Sequence, residues 1–128
     1  MDKSYQPPRG PWYRKFQNAL RGWKLGVTGQ SSFRVHLVAT IAIVTLAILL
    51  KMTMEQWCLL ILCISTVLTA EFFNSSLERL ARSVDDQYNE QLGAALDIAA
   101  GAVLVATIGA ILVGGSLLVV QWLALSSL

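Results

Sequence analysis

The sequence contains little charge and few of the side chains that build most soluble active sites. Charged residues make up 14% of its 128 positions, against about 25% in an average soluble domain. A single histidine argues against a histidine-rich metal site and a phosphohistidine enzyme. The sequence also lacks a glycine-rich phosphate-binding loop, an H-E-x-x-H pair, a Ser-His-Asp set and an N-terminal secretory pattern. The common soluble hydrolase, metalloprotease and nucleotide-loop classes are therefore excluded.

Apolar residues account for 55% of the chain and stand in blocks, which indicates an all-α integral membrane protein. The two cysteines, Cys58 and Cys63, lie inside one such block, about 140° apart on a helix. We interpret them as small buried hydrophobes rather than as a disulfide or a metal pair. The pattern divides the chain into a flexible tail, an amphipathic surface helix and a three-span transmembrane domain. These segments cover residues 1–9, 10–34 and 35–128, with spans at about 35–50, 56–84 and 96–123.

The surface helix is predicted from aromatic and aliphatic residues that recur every three or four positions between basic ones. Such a helix lies in the membrane interface, with its apolar side in lipid. Seven of the ten Lys and Arg residues precede the first span, and Arg79 and Arg82 follow the second apolar block, Trp57 to Phe73. The positive-inside rule therefore places the N-terminus and residues 78–97 in the cytoplasm, and the loop at 51–55 and the C-terminus outside.

The third span carries small residues at every fourth position, namely Ala102, Ala106, Ala110 and Gly114. Small residues let helices approach closely in lipid, where packing drives association. Three short spans bury little surface on their own, so we expect a homo-oligomer.

Two acids and an amide stand at the end of the second apolar block. Glu71, Asn74 and Glu78 are spaced i, i+3 and i+7, which places them on one helix face. A carboxylate at membrane depth costs about 2.5–3.5 kcal/mol on insertion scales, so it tends to have a function. Glu71 is a candidate general base, Asn74 a residue that orients a neighbour, and Glu78 a ligand for Mg²⁺. Asp97, at the start of the last span, is a fourth candidate.

A structural interpretation of the same residues stays open. Glu71 and Asn74 would then hydrogen-bond between helices, and Glu78 would pair with Arg82 one turn further on. We interpret His36 in the same way, as a hydrogen-bonded interfacial residue near Arg34.

Three motifs together resemble the prokaryotic diacylglycerol kinase family, which includes the Gram-positive-type undecaprenol kinases. They are E-x-x-N-x-x-x-E from Glu71 to Glu78, LDIAAGAVLVA from Leu96 to Ala106, and SSFRVH from Ser31 to His36. The similarity extends from about residue 12 to residue 115. DIAAGAVLVA and FRVH are closer to the undecaprenol branch, which favours undecaprenol over diacylglycerol as the lipid.

The resemblance implies a homotrimeric inner-membrane kinase that transfers the γ-phosphoryl group of Mg·ATP to a lipid hydroxyl. Its active sites would be shared between neighbouring protomers. Glu71 would be the base, Asn74 would support it, Glu78 would bind the metal, and Asp97 would lie on the nucleotide side. Arg21 and Lys24 of the surface helix would approach the phosphates, and Ser31 and Arg34 would contact the lipid.

Three positions depart from the family pattern. Gln30 stands where the family has a metal-binding Glu, Leu96 where it has a phosphate-binding Lys, and Arg82 where it has an Asp. One hypothesis is a rewired site, in which Gln30 offers a carbonyl oxygen to the metal and Arg82 binds the nucleotide phosphates. The alternative is a catalytically degenerate relative that acts as a lipid-binding or assembly scaffold. A small ion-conducting oligomer is a third hypothesis, against which residues 96–106 argue.

Overall fold

The computed structural model describes residues 10–29, 31–84 and 89–127, and the side chains of all of these except residues 29, 31 and 32. The predicted tail at 1–9 and Gln30 lie outside these ranges. The described residues form four helices: α1 Trp12–Gly29, α2 Ser31–Leu49, α3 Met54–Val84 and α4 Glu90–Ser126. The all-helical fold class predicted from the blocks of apolar sequence is thereby confirmed.

Helix α1 has an apolar side that the other described residues leave uncovered. Trp12, Phe16, Leu20 and Trp23 are all exposed, and Gly26 is the buried residue near its end. This is the arrangement expected of a helix whose apolar side meets lipid. Helix α2 begins at Ser31, four residues before the predicted first span, so the SSFR segment belongs to α2 rather than to the surface helix.

The connection between α2 and α3 is built from local hydrogen bonds. The amides of Lys51 and Met52 donate to the carbonyls of Ile48 and Ala47, which closes α2 with a Schellman motif. Lys51 takes the left-handed backbone conformation that this motif requires, with φ of 52°. Helix α3 then opens with a capping box, in which Thr53 and Gln56 each bond the other's backbone amide through a side-chain oxygen.

Helices α3 and α4 form the most extensive packed pair. Asn89 caps α4, because its side-chain oxygen accepts hydrogen bonds from the amides of Gln91 and Leu92 at 3.1 and 3.2 Å. A side-chain carbon built on Gly114 would lie 3.6 Å from Leu60, so these two residues face each other across the pair. Leu60 is 1% exposed and belongs to a core with Ala47 and Met52, toward the α2–α3 connection.

By length and composition, α3 and α4 can each cross a membrane. Helices α1 and α2, bent by 95° relative to each other, meet the same criterion only as a pair, which makes a third candidate span. Helix α3 has 31 residues and α4 has 37, so each is longer than the 20 or so residues that a bilayer core requires. Apolar side chains along both helices stay exposed, which suits lipid rather than water. The chain is therefore a membrane protein.

Cys63 is half-buried, but Cys58 is exposed, so the prediction of Cys58 as a buried residue was wrong.

Candidate active site

The acidic stripe predicted on α3 faces the interior of the helix bundle. Glu71 is 2% exposed and Asn74 is 8% exposed. Ser75, which the sequence analysis missed, is buried beside them at 3%. Its position four residues after Glu71 was the signal that could have identified it, because residues at i and i+4 share a helix face. Three buried polar side chains on a membrane helix define the candidate site.

Asn74 and Arg82 hold the carboxylate of Glu78 from two sides. The side-chain amide of Asn74 donates to Glu78 Oε1 at 3.1 Å, and the Arg82 guanidinium lies 3.5 Å from Oε2. The predicted Glu78–Arg82 pair is therefore present. Arg82 itself is 69% exposed, which makes this pair a weak one. From Glu71 to Arg82 the stripe thus runs from a buried carboxylate to an exposed cation.

Asn74 has a second polar atom, its side-chain oxygen, which is buried and has no hydrogen-bond partner in the described part of the chain. An unsatisfied buried oxygen of this kind costs roughly 1–3 kcal/mol. Such a cost is expected where a group is kept ready for a ligand. This oxygen and the carboxylate of Glu78 are both hard donors of the kind that Mg²⁺ prefers.

His36 of α2 lies against Glu71. Its Nε2 is 3.9 Å from Glu71 Oε2, and its side chain is 21% exposed. The sequence interpretation placed His36 at an interface near Arg34 and missed this contact. In the structure Arg34 is exposed, and the imidazole of His36 faces α3 instead. Nothing in the local sequence indicates a partner 35 positions away.

An aromatic contact brings α1 and α2 to this part of α3. The rings of Phe33 and Phe72 have centroids 5.0 Å apart and are tilted by 54°. Gly26 of α1 also abuts the ring of Phe72, where a side-chain carbon would lie only 2.3 Å from the ring. Arg79 also donates to the backbone carbonyl of Leu25 at 3.0 Å, near the end of α1. These contacts fix three helices around the residues next to Glu71.

A cavity of about 110 Å³ adjoins the stripe between α2, α3 and α4. His36 and Val67 line it, and it extends along α2 to Ile43 and along α3 to Leu60. Its lining is mainly apolar, with the hydroxyls of Thr40 and Thr107 among the exceptions. The buried carboxylate of Glu71 is thus one helical turn from an apolar space that runs away from the polar end of α3.

Two positions singled out in the sequence, Leu96 and Asp97, lie near the start of α4. Asp97 is exposed on α4. It lies seventeen residues before Gly114, and Leu77 lies seventeen residues after Leu60, so antiparallel pairing puts Asp97 level with Leu77, the residue before Glu78. Leu96 is half-buried.

The residues predicted to contact phosphates and lipid lie on α1 and at the start of α2. Arg21 and Lys24 of α1 are exposed, as is Arg34 of α2. The backbone of Ser31 opens α2, but its side chain lies outside the described set, as does Gln30. Within residues 10–29, 31–84 and 89–127, no three His, Cys, Asp or Glu side chains lie close enough together to hold a metal ion.

Comparison with known proteins bears on the same residues. The model of the family described as prokaryotic diacylglycerol kinase matches residues 17–118. A curated protein of Synechocystis sp. (strain ATCC 27184 / PCC 6803 / Kazusa), named diacylglycerol kinase, is 36% identical over 111 residues. That alignment covers 86% of this chain, which spans 63% of the length of the curated relative. Because the family match includes all of α2 and α3 and most of α4, the chain belongs to the prokaryotic diacylglycerol kinase family.

Proposed function

We propose that the protein is a membrane lipid kinase that transfers the γ-phosphoryl group of Mg·ATP to the hydroxyl of a membrane lipid. One observation carries the proposal: a buried carboxylate, Glu71, lies between an apolar cavity and a pair of hard oxygen donors on Asn74 and Glu78. A lipid tail and a phosphate group need these two environments on opposite sides of one base. Family membership supports the same reaction.

In this mechanism Glu71 acts as the general base. A lipid hydroxyl beside it loses its proton to the carboxylate while the hydroxyl oxygen attacks the γ-phosphorus of ATP and ADP leaves. The low exposure of Glu71 keeps water, a competing acceptor, away from the phosphoryl group. Asn74 supports the base from one turn further along α3.

Glu78 would hold Mg²⁺, together with the side-chain oxygen of Asn74 and, by the family pattern, Gln30. Bound there, the ion would neutralise charge on the phosphate oxygens. Asn74 and Arg82 already fix the orientation of the Glu78 carboxylate. Arg82 would move from that carboxylate to the phosphates when the ion binds, which would compensate for the lysine replaced by Leu96.

We assign the other predicted residues to the nucleotide and the lipid. Arg21 and Lys24 of α1 and Asp97 of α4 would contact the nucleotide, and Ser31 and Arg34 would contact the lipid headgroup. We propose that the protein is a homotrimer in the inner membrane, with a cytoplasmic N-terminus and sites shared between protomers. The distribution of Lys and Arg supports this orientation.

The similarity of DIAAGAVLVA and FRVH to the undecaprenol branch favours undecaprenol as the lipid, and the name of the cyanobacterial relative favours diacylglycerol. The two lipids share a primary hydroxyl at the membrane surface. An assay of the purified protein in mild detergent should therefore present both lipids in parallel, with labelled ATP and Mg²⁺. Labelled lipid is the expected product, and its identity assigns the substrate.

Two substitutions of the same type provide the control. Glu71→Gln removes the base and should reduce labelling by about 100-fold or more. Glu55→Gln makes the same change at an exposed position near the start of α3 and should leave labelling unchanged. If a folded oligomer labels neither lipid, the kinase proposal fails, and the catalytically degenerate scaffold becomes the better hypothesis. If Glu71→Gln labels lipid as well as the parent does, the protein is a kinase but Glu71 is not its base.

A further inference from the structure

The chain's one histidine stands between the cavity and the buried carboxylate. His36 lines the cavity, and its Nε2 lies 3.9 Å from Glu71 Oε2. That distance is too long for a hydrogen bond. Catalytic hydrogen bonds, however, are often long before substrate binds and shorten when it does. A small rotation of either side chain would bring the two atoms within hydrogen-bonding distance.

The backbone around His36 is fixed well enough for this contact to be specific. Phe33, one turn earlier on the same face of α2, is 2% exposed and packs on Phe72. Phe72 is the residue next to Glu71, so one ring contact sets the register of α2 against the carboxylate. The Thr40 hydroxyl donates to the His36 carbonyl at 2.8 Å and lies one turn below it. His36 therefore has a defined position rather than a solvated one.

We propose that His36 is a positioning residue for Glu71, an inference that rests on the proposed kinase function. In its neutral form an imidazole carries one N–H. Placed on Nε2, that N–H donates to Oε2 of Glu71 and orients the carboxylate, so that its other oxygen faces the lipid hydroxyl at the mouth of the cavity. The base is then aligned before the substrate arrives, which is how a positioned group contributes to rate.

The first test needs no enzyme activity, because a chain with one histidine gives one set of imidazole signals. Protein without a histidine tag, labelled with ¹⁵N-histidine in detergent micelles, reports the state of His36 alone. Glu71→Gln should change the Nε2 resonance of His36, and Glu55→Gln should not. Glu71→Asp, which withdraws the carboxylate by one methylene group, serves as a second variant should the first not fold. An unchanged Nε2 resonance in folded Glu71 variants overturns the proposal.

The second test separates orientation from packing. His36→Leu keeps an apolar side chain in the cavity wall but removes the donor, whereas His36→Gln keeps an N–H. We expect His36→Leu to lower kcat by about 10- to 100-fold, with KM for the lipid within about threefold of the parent. His36→Gln should recover most of kcat. Thr45→Val, at an exposed position on α2 outside the cavity, is the matched control.

The outcomes distinguish the two proposals. Equal losses in His36→Leu and His36→Gln, or no loss in either, would overturn the positioning role while leaving the kinase intact. A parent protein that labels no lipid would refute the kinase proposal and with it the proposed role of His36, whatever the resonance shows. A Glu71-dependent resonance together with rescue by Gln establishes His36 as the residue that orients the base.

Discussion

The contact between α1 and α3 can be tested with two glycines of the same helix. A side-chain carbon at Gly26 would lie 2.3 Å from Phe72, whereas one at Gly22 would have no neighbour within 4 Å. Both substitutions to alanine gain about 1 kcal/mol of helix propensity. Only Gly26→Ala must also open a gap of about 1.2 Å, since carbon atoms in contact lie about 3.5 Å apart or more. The difference between the variants therefore isolates the helix contact.

The size of that difference follows from how Phe72 is held. The ring of Phe72 is in contact with Phe33, which is buried. The Phe72 ring therefore cannot move away freely, and α1 must shift instead. Overpacking of this kind costs about 1–3 kcal/mol. We expect the free energy of unfolding, measured by dodecyl sulfate titration in mixed micelles with circular dichroism, to be lower by that amount in Gly26→Ala than in Gly22→Ala. Equal values would refute the packing of α1 on Phe72.

Three further predictions concern stability and use the same titration. Gln121→Leu should lower the free energy of unfolding by about 1–2 kcal/mol, because the Gln121 amide donates to the carbonyls of Leu50 and Lys51 at 3.0 and 3.3 Å. An unchanged stability would mean that lipid headgroups or water replace these hydrogen bonds. Leu60→Ala should cost about 2 kcal/mol or more by opening the core, while Gly114→Ala, which meets Leu60 at an ordinary contact distance, should be tolerated; the reverse order would contradict the facing of α3 and α4. Asn89→Ala should cost about 1 kcal/mol through loss of the α4 cap, and Asn89→Ser should restore most of it.

The parts of the site that the sequence could predict are those that depend on one helix. The spacing of Glu71, Asn74 and Glu78 predicted a shared face because the helical period is fixed, and the structure buries the first two together. The pairing of Glu78 with Arg82 followed from the same period. The helical class followed from blocks of apolar sequence, since only helices and closed barrels satisfy the backbone in lipid.

The parts that the sequence could not predict depend on contacts between helices. His36 and Glu71 are brought together by the packing of Phe33 on Phe72, and no local pattern indicates that register. The approach of Gly26 to Phe72 also depends on packing between helices, because a glycine in a helical sequence does not indicate which side chain packs against it. The boundary between α1 and α2 is a different case, because Gly29 and Ser31 are residue types common at helix ends and helix starts. The predicted surface helix nevertheless ran four residues into α2.

The two ends of α2 are held differently from its middle. At one end the ring of Phe33 meets Phe72, and at the other the carbonyls of Leu50 and Lys51, which follow α2, accept hydrogen bonds from Gln121. Between these anchors, α2 meets its neighbours around the cavity mostly through apolar side chains. Helix α2 is thus fixed at both ends. A hydrocarbon chain that entered the cavity from the bilayer would bend the centre of α2 outward, and this bending would break only dispersion contacts. The end of α2 beside Glu71 would keep its alignment.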